Sequence, residues 1–174
     1  MMITILISIL LGMPLGQSPA KADPMAAIRF FVGQWQGTGM GDPGKSTVER
    51  DYQFVLGGKF LQGKNVSHWI PTEKTPKGEV HEDLGYFSYD TARKTIIYRQ
   101  FHIEGFVNQY VMEPVREPKT LVFVSEAIEN IAPGWRAKET YHVLSNDEFE
   151  EVFELAAPGK EFEVYSKSQF RRKK

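Results

Sequence analysis

Four histidines and a handful of charged residues set among apolar ones carry whatever chemistry this chain can do. The histidines are His68, His81, His102 and His142. None falls in an H-E-x-x-H pattern or another ligand spacing, so the sequence assigns no metal site. His68 and His81 flank one long connection, where Glu82 or Asp83 could join them, but isolated strand histidines are ordinarily surface or satisfied core groups. The chain has no cysteine, which excludes disulfides, zinc–thiolate sites and thiol catalysis. Serine, histidine and acid are all present, yet there is no G-x-S-x-G elbow, so no catalytic residue is assigned. Asn65-Val66-Ser67 is a formal glycosylation sequon in mid-strand.

The charges are more informative. Arg50 shares an alternating face with Tyr52 and Phe54, and Arg99 lies between Ile97 and Phe101. Glu139 shares a face with Trp135 and Tyr141, and Glu151 with Phe149 and Phe153. An unpaired charge in a dry core costs several kcal/mol. Such groups either pair internally as Arg–Glu or face a wet cavity, where an arginine can receive a ligand carboxylate. The fifth strand also reads in the opposite sense, with Tyr98 and His102 inward and Arg99 out. The candidate ligand lining is Gly37, Gly39, Arg50, Tyr52, Phe54, Arg99, Phe123, Trp135, Glu139, Tyr141, Phe153 and Phe162.

The elements that must position these residues are almost all strands. Apolar and polar residues alternate over 34–41, 46–56, 59–69, 81–89, 95–104, 106–113, 119–128, 135–144, 148–156 and 161–171. Gly57-Gly58, Asp90 to Lys94, Pro133-Gly134, Ser145 to Asp147 and Pro158-Gly159 supply the turn chemistry. Only Ile70 to Val80 is a long connection. On the last strand Phe162, Val164, Ser166, Ser168 and Phe170 fall on the inward face, and Tyr165 outward. One helix is expected, Pro24 to Val32, with Asp23 as its cap and Gly33 ending it. Short turns force antiparallel neighbours, and a meander this long with one apolar face closes to remove its edges. The expected fold is all-β: a ten-stranded, antiparallel, up-and-down meander barrel with a short N-terminal helix capping one end. An eight- to ten-stranded barrel encloses about one small ligand.

The chain has 174 residues and a formal net charge of -1. No basic stripe collects on one face, so nucleic acid is not an expected partner, and Arg171 to Lys174 reads as a solvated tail. The sequence specifies no oligomeric state. Residues 1–22 differ in character: an apolar run from Ile3 to Gly12, then Pro14, Gly16 and Pro19, then Ala20-Lys21-Ala22. This pattern is that of a secretory signal peptide cleaved after Ala22, although its start lacks Lys and Arg. The apolar run is short for a bilayer span, which takes about 20 residues. The expected domains are therefore a leader at 1–22 and one barrel at 23–174, exported to the periplasm or medium, with no stable membrane span after cleavage.

After the short helix comes Gly33-Gln-Trp35-Gln-Gly37-Thr-Gly39-Met-Gly41, a G-x-W-x-G-x-G-x-G pattern. It resembles the calycin superfamily of lipocalin and fatty-acid-binding barrels, and is similar most of all to nitrobindin-like heme-binding β-barrels and related bacterial barrel families. The resemblance implies that Trp35 plugs the closed end under an arginine of the last strand, here Arg171 or Arg172. It also implies heme as a cofactor, held by a histidine on the last strand. That strand has no histidine here, and Tyr165 is its nearest substitute. The function expected is non-enzymatic carriage or sensing of a hydrophobic or amphipathic ligand, such as heme or a carboxylate lipid. The alternatives are an enzyme on the same barrel, such as an isomerase or a heme-dependent peroxynitrite isomerase, and a filled structural domain.

Export has a direct test. Protein isolated from the source organism should begin at Asp23 by N-terminal sequencing and intact mass, whereas a cytoplasmic protein retaining Met1 would overturn the leader reading.

Overall fold

The computed structural model describes residues 22–42, 44–73 and 75–174. Residues 1–21, all but the last residue of the expected leader, lie outside the described residues. The strands are β1 Gly33–Gly41, β2 Gly44–Val55, β3 Phe60–Trp69, β4 Glu79–Asp90, β5 Thr95–His102, β6 Val107–Met112, β7 Thr120–Glu129, β8 Arg136–Ser145, β9 Glu148–Ala156 and β10 Glu163–Arg172. Each pairs antiparallel with its neighbour in sequence, and β1 pairs with β10, so the meander closes into a ten-stranded barrel. Among the described residues no helix is long and apolar enough to cross a membrane.

The helix is shorter and tighter than the sequence pattern implies. It is a 3-10 helix, Ala26–Phe31, capped at Met25. Asp23 does not cap it directly; its carboxylate accepts from the Met25 backbone N–H at 3.0 Å. Tight i→i+3 geometry suits six residues whose task is to deliver side chains rather than to span a distance. Ile28 and Phe31 are fully buried in the barrel end, with Met25 beside them.

Closure rests on glycine. A Cβ at Gly37 would lie 2.3 Å from the Gln169 carbonyl oxygen, so only glycine lets β10 approach there. A Cβ at Gly39 would lie 2.5 Å from Ser46 Oγ and 2.9 Å from Ser168 Oγ. At the end of this seam Trp35 pairs with Arg172. Trp35 is fully buried, and its indole N–H donates to the Phe31 carbonyl at 2.7 Å. The Arg172 guanidinium lies 4.1 Å over the indole. It also donates to the carbonyls of Val32 at 2.6 Å and Phe30 at 3.0 Å, tying the helix to the last strand. Arg171 points outward and pairs with Glu148 at 2.9 Å, so Arg172 alone forms the lid.

Above this lid the barrel is filled by aromatic rings. Phe149 packs edge-on to Trp35 and stacks on Phe170, with ring centroids 4.8 and 4.6 Å apart. Phe87 stacks on Tyr98 at 4.0 Å, and Phe31 meets Tyr52 and Tyr141 at 5.4 and 5.0 Å. Replacing Trp35 with Ala removes the largest member of this plug and the partner of Arg172. The change should cost ~3–5 kcal/mol of stability by denaturant titration, the usual range for a large buried aromatic. A loss below about 1 kcal/mol would show that the plug does not depend on Trp35.

Candidate functional site

The opposite half of the barrel is hollow. A cavity of about 440 Å³ opens between the β5–β6, β7–β8 and β9–β10 turns and the long β3–β4 connection. Its mouth is lined by Trp69, Phe106, Ile131, Trp135 and Leu155, and its deeper wall by Arg50, Asn65, Asp83, Gln100, Asn108, Glu139 and Glu151.

Of the twelve residues of the candidate ligand lining, four line this space: Arg50, Trp135, Glu139 and Phe153. Tyr52, Phe123 and Tyr141 face inward but belong to the aromatic plug below it. Gly37 lies beside Phe170 in the same seam, and Gly39 faces Ser46 and Ser168, which line the cavity. Phe54 is a half-buried rim residue at the plug end, with the Arg29 guanidinium 4.6 Å above its ring. Alternation fixes which way a side chain points but not how deep it sits, and depth is what separates plug from cavity.

Two stretches, one in β5 and one at the start of β10, are turned around relative to the sequence pattern. Arg99 lies on the outer surface, where it donates to Gln109 at 2.9 Å, while Tyr98, Gln100 and His102 face in. This is the second of the two readings of β5. A β-bulge between Val164 and Ser166 inverts the start of β10. Phe162 consequently lies outside, under Arg136 and Lys138 at 4.7 and 4.8 Å, and Val164 is exposed. Tyr165 faces the cavity instead, its ring 5.8 Å from Phe153.

The interior charges are paired, and the pairs define the floor. Arg50 makes a two-pronged contact with Glu151, one bond at 2.8 Å, and donates to Asn65 at 2.9 Å and Tyr52 at 3.2 Å. Its guanidinium lies 4.4 Å over Phe170, on the boundary between plug and cavity. Asp83 accepts from Asn65 at 2.7 Å and from Gln100 at 3.0 Å. Burial pushes the Asp83 carboxyl up, but its bonds from His81, Gln100 and Asn65 and the nearby Arg50 charge outweigh that and hold it below the ordinary carboxylate range. Glu139 is different. Burial first, then the neighbouring Glu151 charge, push it up to about 8, against the Tyr141 hydroxyl that donates to it.

On the β4–β5 wall two imidazoles meet. His81 is raised to about 9 by its contact with Asp83 and a 2.7 Å bond to Glu104, against the effect of burial. His102 is lowered to about 4, by burial and by the adjacent His81 charge. The sequence reading paired His81 with His68 across the long connection, but His68 points outward. The signal for the true partner lay in the β4–β5 hairpin. With Asp90 opposite Thr95, counting back along the ladder puts Asp83 opposite His102.

A closed ten-strand barrel, plugged at one end and hollow at the other, is a calycin-like binding barrel of the nitrobindin type. Residues 24–172 match the THAP4-like, heme-binding beta-barrel domain, and the chain belongs to that family. No curated protein matches it. Among solved structures, Rv2717c from M. tuberculosis has a TM-score of 0.62 at 16% identity, covering 88% of this chain and 99% of that one. A redesigned beta barrel has a TM-score of 0.44 at 11% identity, covering 85% of this chain and 96% of its own. The likeness to Rv2717c is one of fold.

The cavity of this chain fits heme poorly. Heme brings an iron that needs an axial ligand, a broad apolar face and two propionates. β10 offers the cavity Tyr165, Ser166 and Ser168 but no imidazole; the cavity imidazoles, His81 and His102, stand on β4 and β5 instead. The five carboxyl groups Glu79, Asp83, Glu104, Glu139 and Glu151 face in, against the single arginine Arg50, which Glu151 already occupies. Propionates would find no free cation among these side chains.

The raised Glu139 has a thermodynamic consequence. Its pKa is about 8 in the folded protein against 4.5 as the reference. Between those values the folded state keeps a proton that the unfolded state has lost, so this group's contribution is full below pH 4.5 and falls away as pH rises through 8. His81 and His102 titrate in the same window with opposite signs, so the test is a comparison of two proteins at each pH. Glu139→Gln should gain stability relative to the wild type as pH rises from 5 to 8, at no more than about 1.4 kcal/mol per pH unit. A constant difference by urea titration would mean Glu139 is ionised throughout.

Proposed function

We propose that the protein is an exported, non-enzymatic carrier or sensor of a small molecule with an apolar body and a hydrogen-bond-donating, cationic head. The excess of acceptors at the cavity floor carries this reading. Among the described residues Glu139 has no cation paired with it as Arg50 is with Glu151, and the Gln100 side-chain oxygen is buried with no partner. Gln100 is oriented by donating its N–H to Asp83, so that oxygen is an acceptor awaiting a donor. A ligand carboxylate, the other head considered from sequence, would have to displace Glu151 from Arg50. An ammonium group would instead draw Glu139 into its ionised form and add a charge-assisted bond. The mouth aromatics Phe106, Trp135 and Phe153 supply apolar contact above it. A volume near 440 Å³ lies within the range of roughly 300–1,000 Å³ usual for small-molecule sites. The leader-like residues 1–22 support export in this reading.

A matched pair of fluorescent probes tests it: one naphthyl body carrying either an alkylamine or an alkylcarboxylate. The amine should bind one per barrel and about tenfold tighter, a difference of ~1.4 kcal/mol. Glu139→Gln should erase most of that preference. Equal affinity, or preference for the carboxylate, overturns the proposal. Hemin titrated in the same series should give no stoichiometric shift of its Soret band. A shift abolished by replacing His81 or His102 would establish heme as the ligand.

A further inference from the structure

We infer that His81, Asp83 and His102 form a binding site for a divalent transition-metal ion on the cavity wall. The inference turns on two imidazoles that the amine-binding reading does not use, and the two sites share Asp83.

The three side chains each offer one ligand atom, and these atoms lie within 4.8 Å of one another. His81 Nε2 is 3.6 Å from Asp83 Oδ2 and 3.4 Å from His102 Nδ1. Metal bonds to nitrogen and oxygen of about 2.0–2.2 Å set tetrahedral ligand atoms about 3.3–3.6 Å apart. Both of the spacings from His81 match that edge, and the Asp83–His102 spacing is within 4.8 Å. The strand geometry explains why. His81 and Asp83 are two apart on β4 and so share the inner face, and Asp83 stands directly opposite His102 on β5.

Each candidate ligand is also held from behind. His81 Nδ1 is bound to Glu104 at 2.7 Å, the carboxylate–histidine arrangement that orients a metal-binding imidazole. Asp83 is fixed by Asn65 and Gln100 through bonds of 2.7 and 3.0 Å. The His102 ring stacks on Phe106 at 4.0 Å, and the Asn108 side-chain amide lies 3.2 Å from its Nε2. The Asn108 oxygen is itself buried without a partner. With that amide turned over, the oxygen accepts the His102 Nε2–H and leaves Nδ1 with a free lone pair toward the ion.

A histidine held between two carboxylates would account for His81 alone. It gives no reason for a second imidazole whose nitrogen is aimed at the same point. Two imidazoles and a carboxylate select borderline ions such as zinc, cobalt or nickel over calcium or magnesium. All three side chains line the cavity, so any further ligand would come from the cavity space.

The untagged protein, stripped with a chelator, is titrated with cobalt(II) chloride and then zinc chloride. One cobalt per barrel should bind, with the visible bands of a four-coordinate ion, and zinc should displace it and raise the unfolding midpoint. His81→Ala and His102→Ala should each abolish the visible bands, with circular dichroism confirming the fold. Glu104→Gln, an exposed change that spares the packing, should weaken cobalt binding roughly 10-fold, the usual scale for an orienting partner. His68→Ala, on the outer face, should bind as the wild type does. Absence of stoichiometric binding, or binding unaffected by His81→Ala, His102→Ala and Glu104→Gln alike, overturns the inference.

Discussion

Everything in this barrel depends on how closely β1 and β10 can approach. A ten-stranded meander has two free edges, and joining them requires the last strand to pass the first at backbone distance. Gly37 and Gly39 remove the side chains that would hold them apart. Once the seam closes, Trp35 and Arg172 come opposite each other, and Arg172 reaches the helix carbonyls that no helical partner satisfies. The seam, the indole and the guanidinium thus act as one device. It sets the barrel's circumference and seals one end.

The second constraint is electrostatic. Burying Arg50 and Glu151 carries a desolvation cost that their attraction offsets only when the geometry is good and the remaining donors are used. Both conditions hold. Two prongs run between the groups, and Asn65 and Tyr52 take further guanidinium N–H bonds. The network continues through Asn65 to Asp83 and Gln100, so the cavity floor is one hydrogen-bonded sheet laid across the aromatic plug. Glu139 is not paired with the cation, and burial together with the Glu151 charge holds it well above the ordinary carboxylate range, which makes it the floor group most responsive to an incoming charge.

Much of the fold was legible because each signal was local. Alternation in β2 and β9, the glycine pattern of β1 and the turn residues each speak within a few positions. The site was less legible, because its facts are matters of register. β5 reads Ile96-Ile97-Tyr98, all three buried, so alternation gives no preferred face and Arg99 is as plausible inside as His102. The bulge at Val164 and Ser166 shifts the phase of β10 by one residue and leaves no mark in composition. Tyr165 and Phe162 trade sides because of it. Tyr52, Phe123 and Tyr141 point the expected way, but their height along the axis is fixed by strand offsets that span the whole barrel. The His102–Asp83 pairing was available from counting along one hairpin, and pairing histidines by nearness to a loop missed it.

The division of the barrel along its axis has an evolutionary consequence. The residues that stabilise the fold sit in one half, and those that meet a ligand sit in the other, with Arg50 and its partners at the frontier. Drift in the turns and strand ends around Phe106, Ile131, Trp135 and Leu155 can therefore alter what is held without disturbing what folds. Such an architecture is evolvable: one plugged scaffold can diversify into receptors for unlike molecules, its chemistry rewritten at the rim while the seam of glycine, indole and guanidinium stays as it is.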